Sequence, residues 1–207
     1  MRLICITKEH RTYNEVERIH FLLENGIDIL HLRKPSFSEK ELSSLLSEID
    51  KSFYDRIVLH DHFNLTSYFP VRGIHINKRN NSIPVQYSGK ISHSCHSIDE
   101  ICKNQDIYEY QFLSPIFDSI SKTGYRSGFS EAELTDATQK GIIHSKIIAL
   151  GGITPERILT LNPHSFGFGG VAVLGYLWDT TDTNNMKIKI TLLQSALNQI
   201  EQACYSS

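Results

Sequence analysis

Short apolar runs alternate with amphipathic segments along the whole chain of 207 residues. The runs are rich in β-branched residues, and most are followed by apolar positions at helical spacing, which is the pattern of a strand followed by a helix. The pattern predicts eight strands, at residues 3–7, 28–33, 56–60, 73–76, 90–94, 110–113, 146–150 and 171–174. Strands that alternate with helices in this way form a parallel sheet.

Helix-start signals follow several of these strands. A Ser or Thr stands three positions before a Glu, the pattern of a capping box, at residues 12–15, 38–41, 97–100 and 130–133. Thr154 and Pro155 open a further helix, and a closing helix is expected over 185–202. Residues 78–89 show no periodicity, so the fourth helix is expected to be vestigial.

Eight strand–helix units predict a single (β/α)8 TIM barrel over residues 1–207, with an eight-stranded parallel sheet. The alternative is an open, doubly wound sheet. That fold places a glycine-rich phosphate loop after the first strand, whereas Lys8-Glu9-His10 stands there. The closed barrel is therefore preferred.

Composition excludes several classes of function. The formal net charge is −2, with no basic stripe for nucleic acid. There is no run of 18 apolar residues, and the first ten residues contain no apolar stretch of the length expected in a signal peptide. Four cysteines without CxxC spacing indicate a reduced protein. We therefore expect a cytoplasmic protein without nucleic-acid or membrane partners, either monomeric or a homo-oligomer.

Glycines follow the last two predicted strands. Gly151 and Gly152 come directly after the seventh strand, and Gly175 follows the eighth. Glycine lets backbone N–H groups approach a phosphate closely, and late strands of TIM barrels commonly build such sites. This predicts a small phosphorylated substrate.

Polar residues at the other strand ends support the same reading. In a TIM barrel the carboxyl ends of the strands carry the active site. The cationic, hydroxyl and imidazole side chains expected there suit an anionic substrate with more than one phosphate. They are His31, Arg33, Lys34, His60, His62, Lys78, Arg79, His93, Ser94, His96, Ser119, Ser121 and Lys122, and the polar residues Asp61 and Asn77 stand among them.

Six segments, in the right order, resemble the motifs of the thiamine phosphate synthase family, which also contains the thiazole tautomerase TenI. The segment LSPIFDSISKTGY resembles the family's loop after strand six and is the most specific match. The others are LHLRKPSFSE, LHDHFNL, ISHSCHSIDE, IIALGGIT and GVAVLG.

The resemblance implies a reaction and roles for residues. Synthases of the family couple a pyrimidine diphosphate to a thiazole phosphate and release pyrophosphate, with Mg²⁺ on the diphosphate. By position, Arg33, Ser94 and Lys122 would contact the diphosphate, and Asp61 would bind Mg²⁺. Ser119 and Ser121 stand at threonine positions that serve phosphate, and Gly151, Gly152 and Gly175 match the thiazole phosphate cradle.

The chain departs from the family pattern at several of these positions. His31 replaces a glutamine, His60 replaces an asparagine, and Arg79 replaces the second metal-binding aspartate. The family's lysine falls on Pro35, with Lys34 adjacent. An arginine is not a ligand for a hard cation, so Arg79 either neutralises the diphosphate itself or indicates a different reaction.

Three other functions fit the sequence. A metal-independent tautomerase would need His93, His96 or His60 to move a proton, because Pro115 stands where TenI has its histidine. A non-catalytic barrel could bind thiazole phosphate as a regulator. A zinc hydrolase would use the pair His60 and His62. For any of these functions, the loop 115–129 is expected to act as a lid.

Overall fold

The computed structural model describes residues 1–103, 106–118, 128–161 and 167–205. Eight parallel strands pair in chain order and close into a barrel. The strands are β1 (Arg2–Ile6), β2 (Ile29–Leu32), β3 (Ile57–Leu59), β4 (Gly73–Ile76), β5 (Lys90–Cys95), β6 (Tyr110–Leu113), β7 (Ile147–Leu150) and β8 (Gly170–Val173).

Helices and short 3-10 turns follow the strands around the outside. The α-helices are α1 (Glu15–Glu24), α2 (Glu39–Glu48), α3 (Ile98–Ile101), α4 (Glu131–Gln139), α5 (Pro155–Thr160), α6 (Gly175–Trp178) and α7 (Thr183–Tyr205). In the described part of the chain, 3-10 helices span Lys51–Arg56 and Phe63–Ser67. Residues 78–89 contain no helix, as predicted. None of the described helices has the length and apolar character needed to cross a membrane.

Barrel closure rests on the pairing of the first strand with the last. Arg2 to Cys5 of β1 lie in parallel register with Gly170 to Val173 of β8. This confirms the TIM barrel and excludes the open sheet, in which these two strands would be unpaired edges.

Successive side chains of each strand point to opposite faces, so the core has two layers, one beneath the helices and one inside the barrel. On β2, Leu30 and Leu32 face outward beneath the helices, whereas Ile29 and His31 face the barrel interior. One side of the interior is apolar, with Ile4, Ile6 and Ile148. The side formed by β2 to β5 is polar, and it supplies the floor of the site described below.

The predicted helix starts are confirmed at two positions. Ser38 with Glu41, and Ser130 with Glu133, form complete capping boxes. At the other predicted boxes only part of the pattern forms. Ser97 accepts from the Glu100 backbone N–H, but the Glu100 carboxylate accepts from the backbone of His96 instead.

The first helix begins later than its sequence pattern indicates. Asn14, in a left-handed conformation, is the N-cap, and Glu15 is the first helical residue. The predicted box forms only in part: Glu15 Oε2 accepts from the Thr12 backbone N–H at 3.4 Å, whereas the Thr12 hydroxyl accepts from Arg18 at 3.5 Å. The other oxygen of Glu15 accepts a 2.6 Å bond from the Lys34 ammonium, and both of these side chains are fully buried.

The Lys34 ammonium also donates 2.9 Å bonds to the carbonyl oxygens of Lys8 and His10. All three of its N–H donors are thereby used. The Lys34–Glu15 pair therefore ties the loop after β1 to the end of β2.

Breaking this pair should destabilise the barrel strongly. Glu15→Gln leaves a buried ammonium without its counter-charge, and we expect the free energy of unfolding to fall by about 3 to 5 kcal/mol. Urea unfolding followed by circular dichroism measures this. Asp136→Asn, which removes the exposed pair with Lys140, should cost under about 1 kcal/mol. Equal losses in the two variants would contradict the assigned role.

Candidate functional site

A cavity of about 680 Å³ opens at the carboxyl ends of the strands. Side chains from β1, β4, β5 and β6 and from the loops that follow most strands form its wall. Its described lining is Ile6, Arg33, His60, His75, Ile76, Asn77, Lys78, Arg79, Asn81, His93, Ser94, His96, Glu100, Tyr108, Phe112, Ser114, Leu150 and Leu174.

The described lining carries an excess of positive charge. Arg33, Lys78 and Arg79 contribute cations, and Glu100 is the one carboxylate among the described lining residues. Arg33 is held by Glu9, whose carboxylate accepts a 2.5 Å bond from Nη1. Carboxylates outside the lining offset two of these cations, Glu9 for Arg33 and Asp61 for Arg79. The mouth of the cavity, formed by Arg33, Lys78 and Arg79, therefore offers oriented cationic donors for an anionic ligand.

The floor beneath these cations is a hydrogen-bonded set of imidazoles. The His60 and His75 rings stack with centroids 4.2 Å apart. His60 Nε2 lies 2.8 Å from His31 Nδ1, and the other ring nitrogen of His31 lies 2.6 Å from the Tyr110 hydroxyl.

Two serines of β5 complete the floor. His75 Nδ1 and Nε2 lie 2.8 Å from the hydroxyls of Ser92 and Ser94 respectively. The parallel register that pairs His75 with Ser92 brings these groups together.

Burial keeps the imidazoles neutral. Desolvation, with a smaller contribution from the Arg72 charge, lowers the pKa of His31 to about 3. Desolvation also lowers the pKa values of His60 and His75 well below the usual range, and charges nearby, including Arg33 and Arg79, add to the shift. The cations of the mouth therefore stand above an uncharged polar floor.

These three imidazoles are not arranged as metal ligands, although nitrogen atoms of His31, His60 and His75 lie within 4.8 Å of one another. A metal must lie in the plane of each ring at about 2 Å from nitrogen. The planes of His60 and His75 are only 22° apart in a stacked pair, so they cannot share one ion at that distance.

The pair suggested for zinc does not converge either. His62 Nε2 lies 2.7 Å from the Phe37 carbonyl oxygen, and His62 is absent from the described cavity lining. The zinc interpretation has no support in this geometry.

Asp61, the predicted Mg²⁺ ligand, is engaged by protein donors. Its Oδ1 accepts from Arg79 at 3.3 Å and from the Asn80 amide at 3.0 Å, and its Oδ2 accepts from the Lys34 backbone N–H at 3.2 Å. Mg²⁺ requires oxygen ligands in near-octahedral arrangement. A carboxylate paired with a guanidinium does not fit such a site.

The wall formed by β5 and β6 holds two further histidines. His93 stacks on Tyr108 with ring centroids 4.9 Å apart. His96 Nδ1 lies 3.1 Å from the Ser114 carbonyl oxygen. Because a carbonyl oxygen only accepts, Nδ1 carries the proton and Nε2 is left as an acceptor.

The structure brings together some of the predicted site residues and not others. Arg33, His60, Arg79 and Ser94 line the cavity, His31 lies beneath it, and Asp61 contacts it through Arg79. Lys34 is directed away, toward Glu15. Ser119, Ser121 and Lys122 lie outside the described residues, as does the middle of the expected lid at 115–129.

The glycines lie at the rim. Leu150 and Leu174 line the cavity and immediately precede Gly151 and Gly175. Gly151 and Gly152 have φ values of 98° and 64°, which favour glycine, and a Cβ on Gly152 would lie 2.5 Å from the Asp118 carbonyl oxygen. The chain thus requires glycine there for its own backbone packing.

Sequence reasoning missed the polar floor. Ser92 and Tyr110 are not among the residues predicted to form the site. Their signal was available in principle, because polar residues occupy alternate, inward-facing positions of buried strands. Glu9 and Glu15, which position Arg33 and Lys34, had no such signal.

A family model for thiamine monophosphate synthase matches residues 3–177. This chain belongs to that family. A search of curated proteins gives no match. Among solved structures, thiamine phosphate pyrophosphorylase from Bacteroides thetaiotaomicron is 37% identical, covers 96% of this chain and 98% of its own, and has a TM-score of 0.83.

More distant structures support the fold alone. Thiamine phosphate pyrophosphorylase from Pyrococcus furiosus is 16% identical, with 96% of each chain covered and a TM-score of 0.76. A geranylgeranylglyceryl phosphate synthase from Thermoplasma acidophilum is 12% identical, with 96% of this chain and 93% of its own covered, and a TM-score of 0.66. Membership of the thiamine monophosphate synthase family confirms the resemblance seen in the sequence.

Stability should fall in acid because of the neutral floor. The His31 pKa is about 3 in the folded protein against 6.5 for an ordinary histidine. Between those values the unfolded chain binds a proton that the folded chain does not. The stabilisation that comes from a neutral His31 should therefore be fully present above pH 6.5. Between pH 6 and 4, the free energy of unfolding should fall by about 1.4 kcal/mol per pH unit from His31 alone.

Urea unfolding at a series of pH values measures this slope. His31→Gln should reduce the slope, whereas His10→Gln, at an exposed position, should retain it. An unchanged slope in His31→Gln would show that His31 is not the group responsible.

Proposed function

We propose that this chain is a thiamine phosphate synthase-type transferase that couples hydroxymethylpyrimidine diphosphate to thiazole phosphate and releases pyrophosphate. The observation that carries the proposal is the cationic mouth, with Arg33, Lys78 and Arg79 lining one cavity in a member of this family. Such a mouth suits two phosphorylated substrates of small size. The reaction would take place in the cytoplasm, with no macromolecular substrate.

The chemistry separates charge, so the protein's part is mainly electrostatic. The bond between the pyrimidine methylene carbon and the diphosphate oxygen breaks, leaving a carbocation and pyrophosphate. The thiazole nitrogen then donates its electron pair to that carbon, and the new C–N bond forms. Arg33, Arg79 and the Ser94 hydroxyl would stabilise the negative charge that develops on pyrophosphate.

The floor would serve the positive end of the reaction. Neutral His60 and His75 do not repel a developing carbocation, whereas imidazolium rings would. The faces of Tyr108 and Phe112, which also line the cavity, attract a cation. The neutral floor thus suits the carbocation, and the cationic mouth suits the pyrophosphate that leaves.

The glycine rim is the proposed place for thiazole phosphate. Gly151 and Gly152 supply backbone N–H groups without side chains, and Gly175 begins α6. Ser119, Ser121 and Lys122 remain predicted partners for phosphate on sequence grounds.

The first test is an end-point assay with both substrates, in which thiamine phosphate is oxidised to fluorescent thiochrome. Arg33→Gln removes a charged donor, so kcat/KM should fall about 10- to 100-fold. Arg11→Gln changes an arginine paired with Glu48 outside the cavity and should retain activity. Absence of product with folded protein would overturn the transferase, and thiazole phosphate binding without turnover would then favour a regulatory barrel.

A second candidate function is a TenI-like, metal-independent thiazole tautomerase. His96 favours it, because the Ser114 carbonyl oxygen accepts from Nδ1 and thereby fixes the tautomer of the ring. Nε2 is then the nitrogen that can accept a proton. If His96 were replaced by asparagine or glutamine, the side chain would keep a similar shape but could not accept the proton that the tautomerase reaction moves.

The tautomerase is tested by conversion of the thiazole phosphate tautomer in EDTA. His96→Gln should lower kcat by about 100-fold or more with little change in KM, because general base catalysis typically contributes 10²- to 10⁴-fold. His10→Gln is the matched control. Full activity in His96→Gln would remove this histidine from the mechanism.

A further inference from the structure

We infer that this chain holds the diphosphate directly through the guanidinium groups of Arg79 and Arg33, with no divalent cation bound at Asp61. The inference rests on the proposed function for the nature of the ligand. It differs from the expected chemistry at this end of the barrel, in which a metal ion held by carboxylates carries the charge of the leaving group.

Asp61 is used in a way that opposes a metal site. Both carboxylate oxygens accept bonds from protein N–H groups, and the residue is 7% exposed. A divalent cation would have to displace these donors. It would also have to approach the positive charge of Arg79, whose guanidinium donates to the same Asp61 oxygen as the Asn80 amide. Among the described residues, the one group of three or more His, Cys, Asp or Glu side chains close enough to share an ion is the buried histidine set, and Asp61 does not belong to it.

Arg79 is positioned but not fully engaged. Its backbone N–H donates to the Asn77 side chain at 2.9 Å, which anchors the start of the loop after β4. Its side chain is 42% exposed and makes one ion-pair contact with Asp61 at 3.3 Å. A guanidinium has five N–H donors in a planar fork, so most of this fork can bind phosphate oxygens while Asp61 keeps it oriented.

Arg33, directly after β2, is organised in the same way. Glu9 accepts from its Nη1, and the side chain is 24% exposed at the cavity. Both arginines line the same cavity as His60 and His75, so the two guanidinium groups face one floor. Each arginine thus has a carboxylate that orients it, and a diphosphate between them would be bound bidentately from two sides.

Binding of inorganic pyrophosphate, measured by titration calorimetry in EDTA and again in excess Mg²⁺, tests the inference independently of turnover. We expect the same affinity to within about threefold in both buffers, since charge neutralisation comes from the arginines. Arg79→Gln should weaken binding by about 10-fold or more in either buffer. Arg11→Gln, outside the cavity, should bind as the wild type does.

The variant Asp61→Asn distinguishes most clearly between direct binding by the arginines and binding through a metal ion at Asp61. If Asp61 only orients Arg79, the variant should bind pyrophosphate at least as tightly as the wild type, because a competing anion has been removed. Binding that requires Mg²⁺, is lost in Asp61→Asn, is unchanged in Arg79→Gln or is absent in both buffers would overturn the inference. Metal-independent binding without formation of thiamine phosphate would uphold it while rejecting the proposed reaction.

Discussion

The site depends on one constraint, the burial of polar side chains inside a closed parallel barrel. Inward-facing groups there have no bulk water, so each must find a partner within the barrel or remain uncharged. His31, His60 and His75 meet this requirement through one another, Tyr110 and two serines. The outcome is a rigid polar floor that carries no charge.

The mouth shows the opposite solution, because it is open to solvent and retains ionised groups. Arg33 and Arg79 keep their charges, each oriented by one carboxylate. Lys34, a third cation close by in sequence, is buried with Glu15 and serves the backbone instead. Arg33 and Lys34 are adjacent after β2 but have different roles, because one side chain faces the cavity and the other faces the loop after β1.

Family membership explains the architecture, whereas the substituted positions distinguish this chain. Arg79 stands where the resemblance implied a second metal-binding aspartate, and it forms an ion pair with Asp61. Relative to an aspartate at that position, an arginine changes the local charge by two units, from −1 to +1, which disfavours a bound cation and favours an anion. The neutral imidazoles at positions 31 and 60 add bulk and hydrogen-bonding capacity beneath it.

The sequence by itself determined the eight strands, the closing helix and the capping boxes at Ser38 and Ser130, because these depend on periodicity and contacts within a few residues. Tertiary structure decided the rest. Glu15 and Lys34 form a buried pair only because the fold brings the start of α1 to the end of β2, and His75 contacts Ser92 only through the register of β4 with β5. Such pairings join residues 17 to 19 positions apart, and local patterns carry no information about which distant partner a buried charge or imidazole will find.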